Sequence, residues 1–284
     1  MGISLATEAG QPPGRRPQDR RPLISVRGLS VRYGAGRKGK QVVAIEDVNL
    51  DVFPGEVLTV LGPSGCGKTT MMNTVAGIVP ATEGTVTVDG APVTGPGPDR
   101  AVVFQDYALM PWRTVAANVK FGMEMQTKLR GRDAERQVQD AIELVGLTGF
   151  ENAYPRQLSG GMQQRVGLAR ALVAEPAILL MDEPLGAVDA LTREVMRGEL
   201  ERIIATTGKT VMFITHSIEE AILLGDRVAV FSRHPGTVAE ILDVDLPRPR
   251  SERAAQGDPR YVELRNHLWD VLENDARDAA KDQR

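Results

Sequence analysis

One stretch constrains this chain more than any other: Gly62-Pro-Ser-Gly-Cys-Gly-Lys-Thr69. It fits G-x-x-x-x-G-K-[ST] and lies between the short apolar run Val57–Leu61 and a segment, Lys68–Ala76, that reads as a helix capped by Gly77. A strand passing through such a loop into a helix is the context the pattern demands, and it commits the chain to an α/β core. Gly62, Gly65 and Gly67 let the backbone wrap closely and turn its N–H groups inward. The helix that follows starts where the phosphates would sit, so its dipole favours their charge. Lys68 supplies a point charge between β- and γ-phosphates, and the Thr69 hydroxyl is a ligand for Mg²⁺. The expected nucleotide-binding run is therefore Gly62, Pro63, Ser64, Gly65, Cys66, Gly67, Lys68, Thr69 and Thr70. Cys66 reads as a position whose backbone N–H matters. A sharper expectation is that Lys68 and the helix start lower its thiol pKa and make it reactive.

A second half of the site is expected downstream. Ile178-Leu-Leu-Met-Asp-Glu183 is an apolar strand ending in two carboxylates, at the end of a strand where α/β folds gather ligand groups. Asp182 is suited to hold the Mg²⁺ shell, and Glu183 to act as general base on the attacking water. Other strands are expected at Leu23–Tyr33 and Val42–Val52, an antiparallel hairpin joined by the polar, Gly-rich turn Gly34–Lys40, and at Thr85–Val88, Ala101–Phe104 and Thr210–Thr215. Arg227–Phe231 reads as the last core strand. Helices are expected at Val115–Gln126, Asp133–Leu144, Met162–Ala174 and Leu191–Thr206. Ser217-Ile-Glu-Glu220 has capping-box spacing ahead of another. Asp258 and Pro259 suit the start of a tail helix whose stripe Tyr261, Leu264, Leu268 and Leu272 reads as a packing face.

Bulk properties exclude several classes. The 284 residues suffice for one large α/β domain with an inserted subdomain. The net charge of −3 carries no nucleic-acid signature. Residues 1–40 hold nine Lys/Arg against two acids, and residues 1–22, rich in Pro, Gly and Arg, read as a disordered basic leader. No segment is long and apolar enough to span a bilayer, so a membrane connection would come through a partner. The one cysteine excludes an internal disulfide and fits a reducing compartment.

Leu158-Ser-Gly-Gly-Met-Gln-Gln-Arg165 decides the family. With it, residues 23–235 resemble the ATP-binding-cassette proteins, with all motifs in order. The resemblance implies a P-loop core of mixed sheet with an N-terminal antiparallel subdomain, a helical subdomain at about residues 107–156, and a short helical tail from 241 to 284. It implies that Ser159, Gly160 and Gly161 bind the γ-phosphate held by a partner's cradle. It further implies that Gln105 senses Mg²⁺ and the water, that His216 contacts the γ-phosphate, and that Tyr33 stacks on adenine. Asp189 fits the loop that crosses the dimer, where Val188 replaces the family's usual Leu. His234 and His267 receive no role.

A shared site requires two copies in a head-to-tail pair. In transporters of this family, a helix of a membrane permease seats near the Gln loop. Residues 106–115, with Tyr107, Leu109, Met110 and Trp112, are the expected docking region. Pro111-Trp-Arg-Thr-Val115 and Arg233-His-Pro-Gly236 resemble the importers for nitrate, aliphatic sulfonates and taurine. That resemblance implies an extracytoplasmic solute-binding protein as an indirect partner, and a peripheral location at the cytoplasmic face of the membrane. The competing expectations are the ATPase of an ABC transporter for another solute, the ATPase of an exporter, and a non-transport cassette ATPase of DNA repair or translation. The long coiled coils or second cassette of the last have no counterpart here, since the insertion is short and each motif occurs once.

Overall fold

The computed structural model describes residues 21–34, 41–124, 131–186, 189–233, 235–250 and 253–282. The expected leader up to residue 20, residues 35–40 of the Gly-rich turn, the end of the Val115–Gln126 helix, Val188 and His234 lie outside them.

Ten strands form two sheets among these residues. Strands β1 (Ile24–Tyr33), β2 (Val42–Val52), β4 (Glu83–Val88) and β5 (Ala91–Pro92) make the antiparallel sheet, in the order β2-β1-β4-β5. The larger sheet contains β3 (Val57–Leu61), β6 (Arg100–Val103), β7 (Ile178–Asp182), β8 (Thr210–Thr215), β9 (Arg227–Phe231) and β10 (Val238–Asp243). Its order is β10-β9-β3-β8-β7-β6, parallel from β9 to β6. β10 adds antiparallel to β9, so Arg227–Phe231 is not the last strand as the sequence suggested. β10 also runs past the expected boundary at residue 240. Its residues are only partly buried, so they lack the continuous apolar run that marks the inner strands.

The central strands are apolar throughout because both faces are covered. On β7, Leu179 and Met181 face one cluster, which includes α2 (Val115–Glu124), α3 (Arg132–Leu144), α4 (Gly160–Leu172) and α5 (Ala190–Thr207). Ile178 and Leu180 face the other, with α1 (Lys68–Ala76) and the antiparallel sheet. α3 buries Val138, Ala141 and Ile142, followed by Val145, at the spacing the sequence indicated. α4 packs with α2 and α3, so the helical unit continues beyond residue 156.

A third cluster joins α6 (Ile218–Leu224) to the tail, where the short α7 (Arg253–Gln256) leads into α8 (Pro259–Asp282). Tyr261 and Leu268 are buried, and Leu264 and Leu272 flank them, so the stripe is a packing face. Each fully buried large side chain contributes about 1.5–3 kcal/mol, enough to hold the tail on the core. No helix among the described residues is long and apolar enough to cross a membrane.

Candidate ATP site at the carboxyl edge of the parallel sheet

Four of the expected groups stand at the carboxyl ends of neighbouring parallel strands. The loop Gly62–Gly67 leaves β3, Asp182 ends β7, His216 follows β8 and Gln105 follows β6. The pairing order brings residues more than a hundred positions apart in sequence to one edge. α1 starts at Lys68 and ends at the left-handed Gly77, as expected. Gly67 has φ +98°, and a Cβ there would overlap Ile45 Cγ2 and stand 2.6 Å from the Ala44 carbonyl, so no side chain fits.

Lys68 is 4% exposed and folds back over the loop. Its Nζ donates to the carbonyls of Gly62 (2.7 Å) and Pro63 (2.9 Å) and lies 3.9 Å from Glu183 Oε1. The ammonium thus bridges the loop and the expected general base. Thr69 Oγ1 donates to Asp182 Oδ1 at 3.1 Å. Hydroxyl and carboxylate are hard oxygen donors, suited to a small divalent cation. Burial raises the Asp182 pKa above the usual carboxylate value and the nearby Glu183 charge adds to this, while the Thr69 hydrogen bond and Lys68 oppose it. A cation between Thr69 and Asp182 would offset the cost of keeping that carboxylate charged.

Glu183 takes a left-handed backbone, φ +43°, unusual for a residue with a side chain. Its N–H donates to the Ile214 carbonyl at 3.1 Å. Its Oε2 is 3.0 Å from His216 Nδ1, so the two groups at the ends of β7 and β8 touch. Gln105 is exposed, and its Nε2 would stand 3.7 Å from a Cβ at Gly186, in the turn after Glu183. β6 ends at Val103, one residue short of the expected limit. The Tyr33 hydroxyl donates to Thr70 Oγ1 at 3.4 Å across the start of α1, with the tyrosine partly exposed.

Ser159, Gly160 and Gly161 form the start of α4, which begins two residues before the expected Met162. Ser159 is the N-cap, its Oγ accepting the Met162 N–H at 3.3 Å. The first N–H groups of a helix lack backbone partners within it, and of the residues at this start Ser159 and Gly160 are exposed while Gly161 is buried. This end is built against α5, since a Cβ on Gly161 would stand 3.2 Å from Thr192 Cγ2 and 3.3 Å from Met196 Sδ. Asp189 caps α5, its Oδ1 accepting the Thr192 N–H at 3.0 Å.

Three expectations need correction. Cys66 is buried, and desolvation drives its thiol pKa up despite the opposing charge of Lys68, so it is not the activated thiol that its neighbours suggested. Of the apolar residues in 106–115, Tyr107 is 8% exposed and Leu109 packs on the core, while Trp112 is 73% exposed. The loop is pinned from below. Asn118 Nδ2 donates to the carbonyls of Met110, Arg113 and Thr114, and Arg170 donates to those of Tyr107 and Ala108. The capping box at Ser217 is half formed. Ser217 Oγ accepts the Glu220 N–H, but the Glu220 carboxylate turns instead to the Thr215 hydroxyl.

Sequence reasoning used Gly236 only within the Arg233-His-Pro-Gly236 resemblance and missed its contact with the phosphate loop. Gly236 bridges to Ile45, with its N–H donating to the Ala44 carbonyl and its carbonyl accepting the Glu46 N–H. A Cβ there would overlap the Cys66 carbonyl oxygen, so Gly236 supports the phosphate loop from beneath. Pro235-Gly236 signals only a turn, and nothing local reveals what the turn touches. His267 pairs with Glu240 at 2.9 Å, away from these groups in the sheet.

A strand-to-helix phosphate loop, two strand-end carboxylates and a histidine on one sheet edge, with a Ser-Gly-Gly start to α4, define an ATP-binding cassette. The profile of the ABC transporter family matches residues 45–186. A taurine import ATP-binding protein of Burkholderia pseudomallei is 49% identical over 86% of this chain and 94% of its own length. A nitrate import ATP-binding protein of Synechococcus elongatus is 43% identical over 84% of this chain but only 37% of that longer protein. An ATP-binding cassette solved as a dimer in a post-hydrolysis state with ADP and Pi is 30% identical and superimposes with a TM-score of 0.69, over 78% of this chain and 98% of that one. The chain belongs to the ABC transporter family and is an ABC-cassette ATPase.

Proposed function

We propose that this chain powers the import of a small oxyanion such as nitrate, taurine or another aliphatic sulfonate, hydrolysing ATP in a site completed by a second copy of itself. The observation that carries the catalytic part is the contact of Glu183 at one sheet edge with Lys68, at 3.9 Å, and with His216, at 3.0 Å. With ATP bound, Lys68 exchanges its loop carbonyls for phosphate oxygens, which frees Glu183 Oε1 to take a proton from the attacking water. His216 donates to the γ-phosphate and holds Glu183 in line. Gln105 reaches across from β6 to the same water. Tyr33 carries the adenine, and its reach to Thr70 over the start of α1 supports that role. Thr69 and Asp182 hold Mg²⁺, which when bound screens the charge on the β- and γ-phosphates.

The partner's Ser159, Gly160 and Gly161 close over the γ-phosphate, using the N–H groups of a helix start as an anion site. Loss of that phosphate releases the pair, a two-state switch biased by ligand. A groove of about 540 Å³ beside Gln105, lined by Phe104, Phe121, Ile78 and Ala108, supports docking of a permease helix. Trp112 stands exposed in the neighbouring 106–115 region. Such docking puts the chain at the cytoplasmic face of the membrane, with the solute-binding protein acting through the permease. The printed functions of the taurine and nitrate relatives support the importer reading.

Glu183→Gln tests the composite site. The variant is expected to bind Mg-ATP, lose hydrolysis by roughly 10²–10⁴-fold, and elute as a closed dimer in light scattering. A variant that stays monomeric at saturating ATP overturns the shared site.

A further inference from the structure

His216 follows the last residue of β8, and its side chain is half exposed. Its direct restraint on the catalytic side is the single bond to Glu183. A second, indirect path joins the same two residues. The Thr215 hydroxyl donates to Glu220 Oε2 at 2.5 Å and accepts the Ser217 N–H at 2.9 Å. One hydroxyl therefore brackets the backbone on both sides of His216. Glu220 is a buried carboxylate in the first turn of α6. Its other oxygen lies 3.9 Å from Arg193 Nε, in the first turn of α5. That same Nε donates to the Leu185 carbonyl at 3.2 Å, two residues after Glu183.

The chain of contacts closes on itself: Glu183, Leu185, Arg193, Glu220, Thr215, His216 and back to Glu183. A buried carboxylate is costly unless it is paired, and here one oxygen accepts the Thr215 hydroxyl while the other faces the Arg193 guanidinium as an ion pair, which ties the two catalytic strand ends together. One turn further along α5, the buried Arg197 reaches Glu219 at 3.1 Å, and Gln256 donates to the same carboxylate oxygen. α5 thus grips the first turn of α6 at two successive turns, below the histidine. Arg193 lies four residues beyond Asp189, the cap of α5.

We propose that Arg193 and Glu220 are positioning residues that hold His216 in register with Glu183. The inference rests on the reading of Glu183 as base and His216 as γ-phosphate ligand. Neither Arg193 nor Glu220 needs to touch nucleotide. Their removal therefore affects the alignment of the reacting groups rather than ground-state binding.

The test uses the full-length chain, with kcat and KM for Mg-ATP and the Kd of a fluorescent ATP analogue. Arg193→Met is expected to lower kcat about tenfold while KM and Kd stay within about twofold. Thr215→Val, which leaves the Arg193–Glu220 pair intact, is expected to do the same, and Thr215→Ser to retain near wild-type turnover. In a His216→Ala background, Arg193→Met is expected to cause no further loss, because the residue it positions is gone. Arg193→Met slowing the His216→Ala enzyme as much as the wild type overturns the proposal alone. A loss of Kd matching the loss of kcat does so as well. His216→Ala turning over at the wild-type rate overturns the reading of His216, and the proposal with it.

Discussion

Gly236→Ala tests whether the phosphate loop depends on a residue far from it in sequence. The added methyl would overlap the Cys66 carbonyl oxygen and stand 3.2 Å from Ile45 Cγ2. Gly236 cannot retreat easily, because its N–H and carbonyl are both engaged by the strand carrying Ala44 and Glu46, at 3.1 and 3.0 Å. The displacement must therefore go into the loop, whose N–H groups have to converge on one anion. Overpacking of this kind costs about 1–3 kcal/mol. If that cost falls on the bound geometry, the Kd for Mg-ADP rises roughly 5- to 150-fold. Its φ is not in the left-handed region, so contact alone, not backbone strain, accounts for the effect. Gly95→Ala is the control, since a Cβ there meets nothing within 4 Å. Titration calorimetry with Mg-ADP measures the effect without inducing a closed pair. If Gly236→Ala binds Mg-ADP as tightly as wild type and melts at the same temperature, the support from beneath is refuted.

Cys66 in the folded chain is expected to react with maleimide at neutral pH far more slowly than after denaturation, with or without nucleotide. Because its folded pKa is raised above the ordinary thiol value, its contribution to stability is fully present below pH ~8.5 and is lost as pH rises through the folded value. Melting curves of wild type and Cys66→Ala across pH 7–10 would show the difference narrowing toward alkaline pH. Trp112→Ala is expected to change stability and basal ATPase little, within about 0.5 kcal/mol for an exposed site, while weakening copurification with the permease. ATPase that collapses while assembly survives would make Trp112 part of the fold instead.

The elements that carry motifs were legible because their information is local. Val57–Leu61, the loop and Lys68–Ala76 follow one another directly, and the structure reproduces both ends of that helix. Thr210–Thr215 and Arg227–Phe231 were equally plain, being apolar runs buried on both faces. The tail stripe at Tyr261 and Leu268 needed only the helical repeat.

What escaped the sequence depended on partners distant along the chain. A half-buried strand such as Val238–Asp243 has no pattern of its own until β9 offers it an edge. The 106–115 loop has no periodicity, so nothing local told Tyr107, which turns inward, from Trp112, which does not; Asn118 and Arg170 decide that by holding the loop's carbonyls. The low pKa expected of Cys66 came from its neighbours in sequence, whereas burial, a property of the packed core, sets the opposite direction. The opening feature, Gly62–Thr69, was determined by sequence as a phosphate loop because a close turn into a helix demands glycines and one lysine. Only the tertiary structure set Gly236 beneath it, Glu183 and His216 beside it and Arg193 behind them, because strand order, not sequence order, decides which residues share an edge.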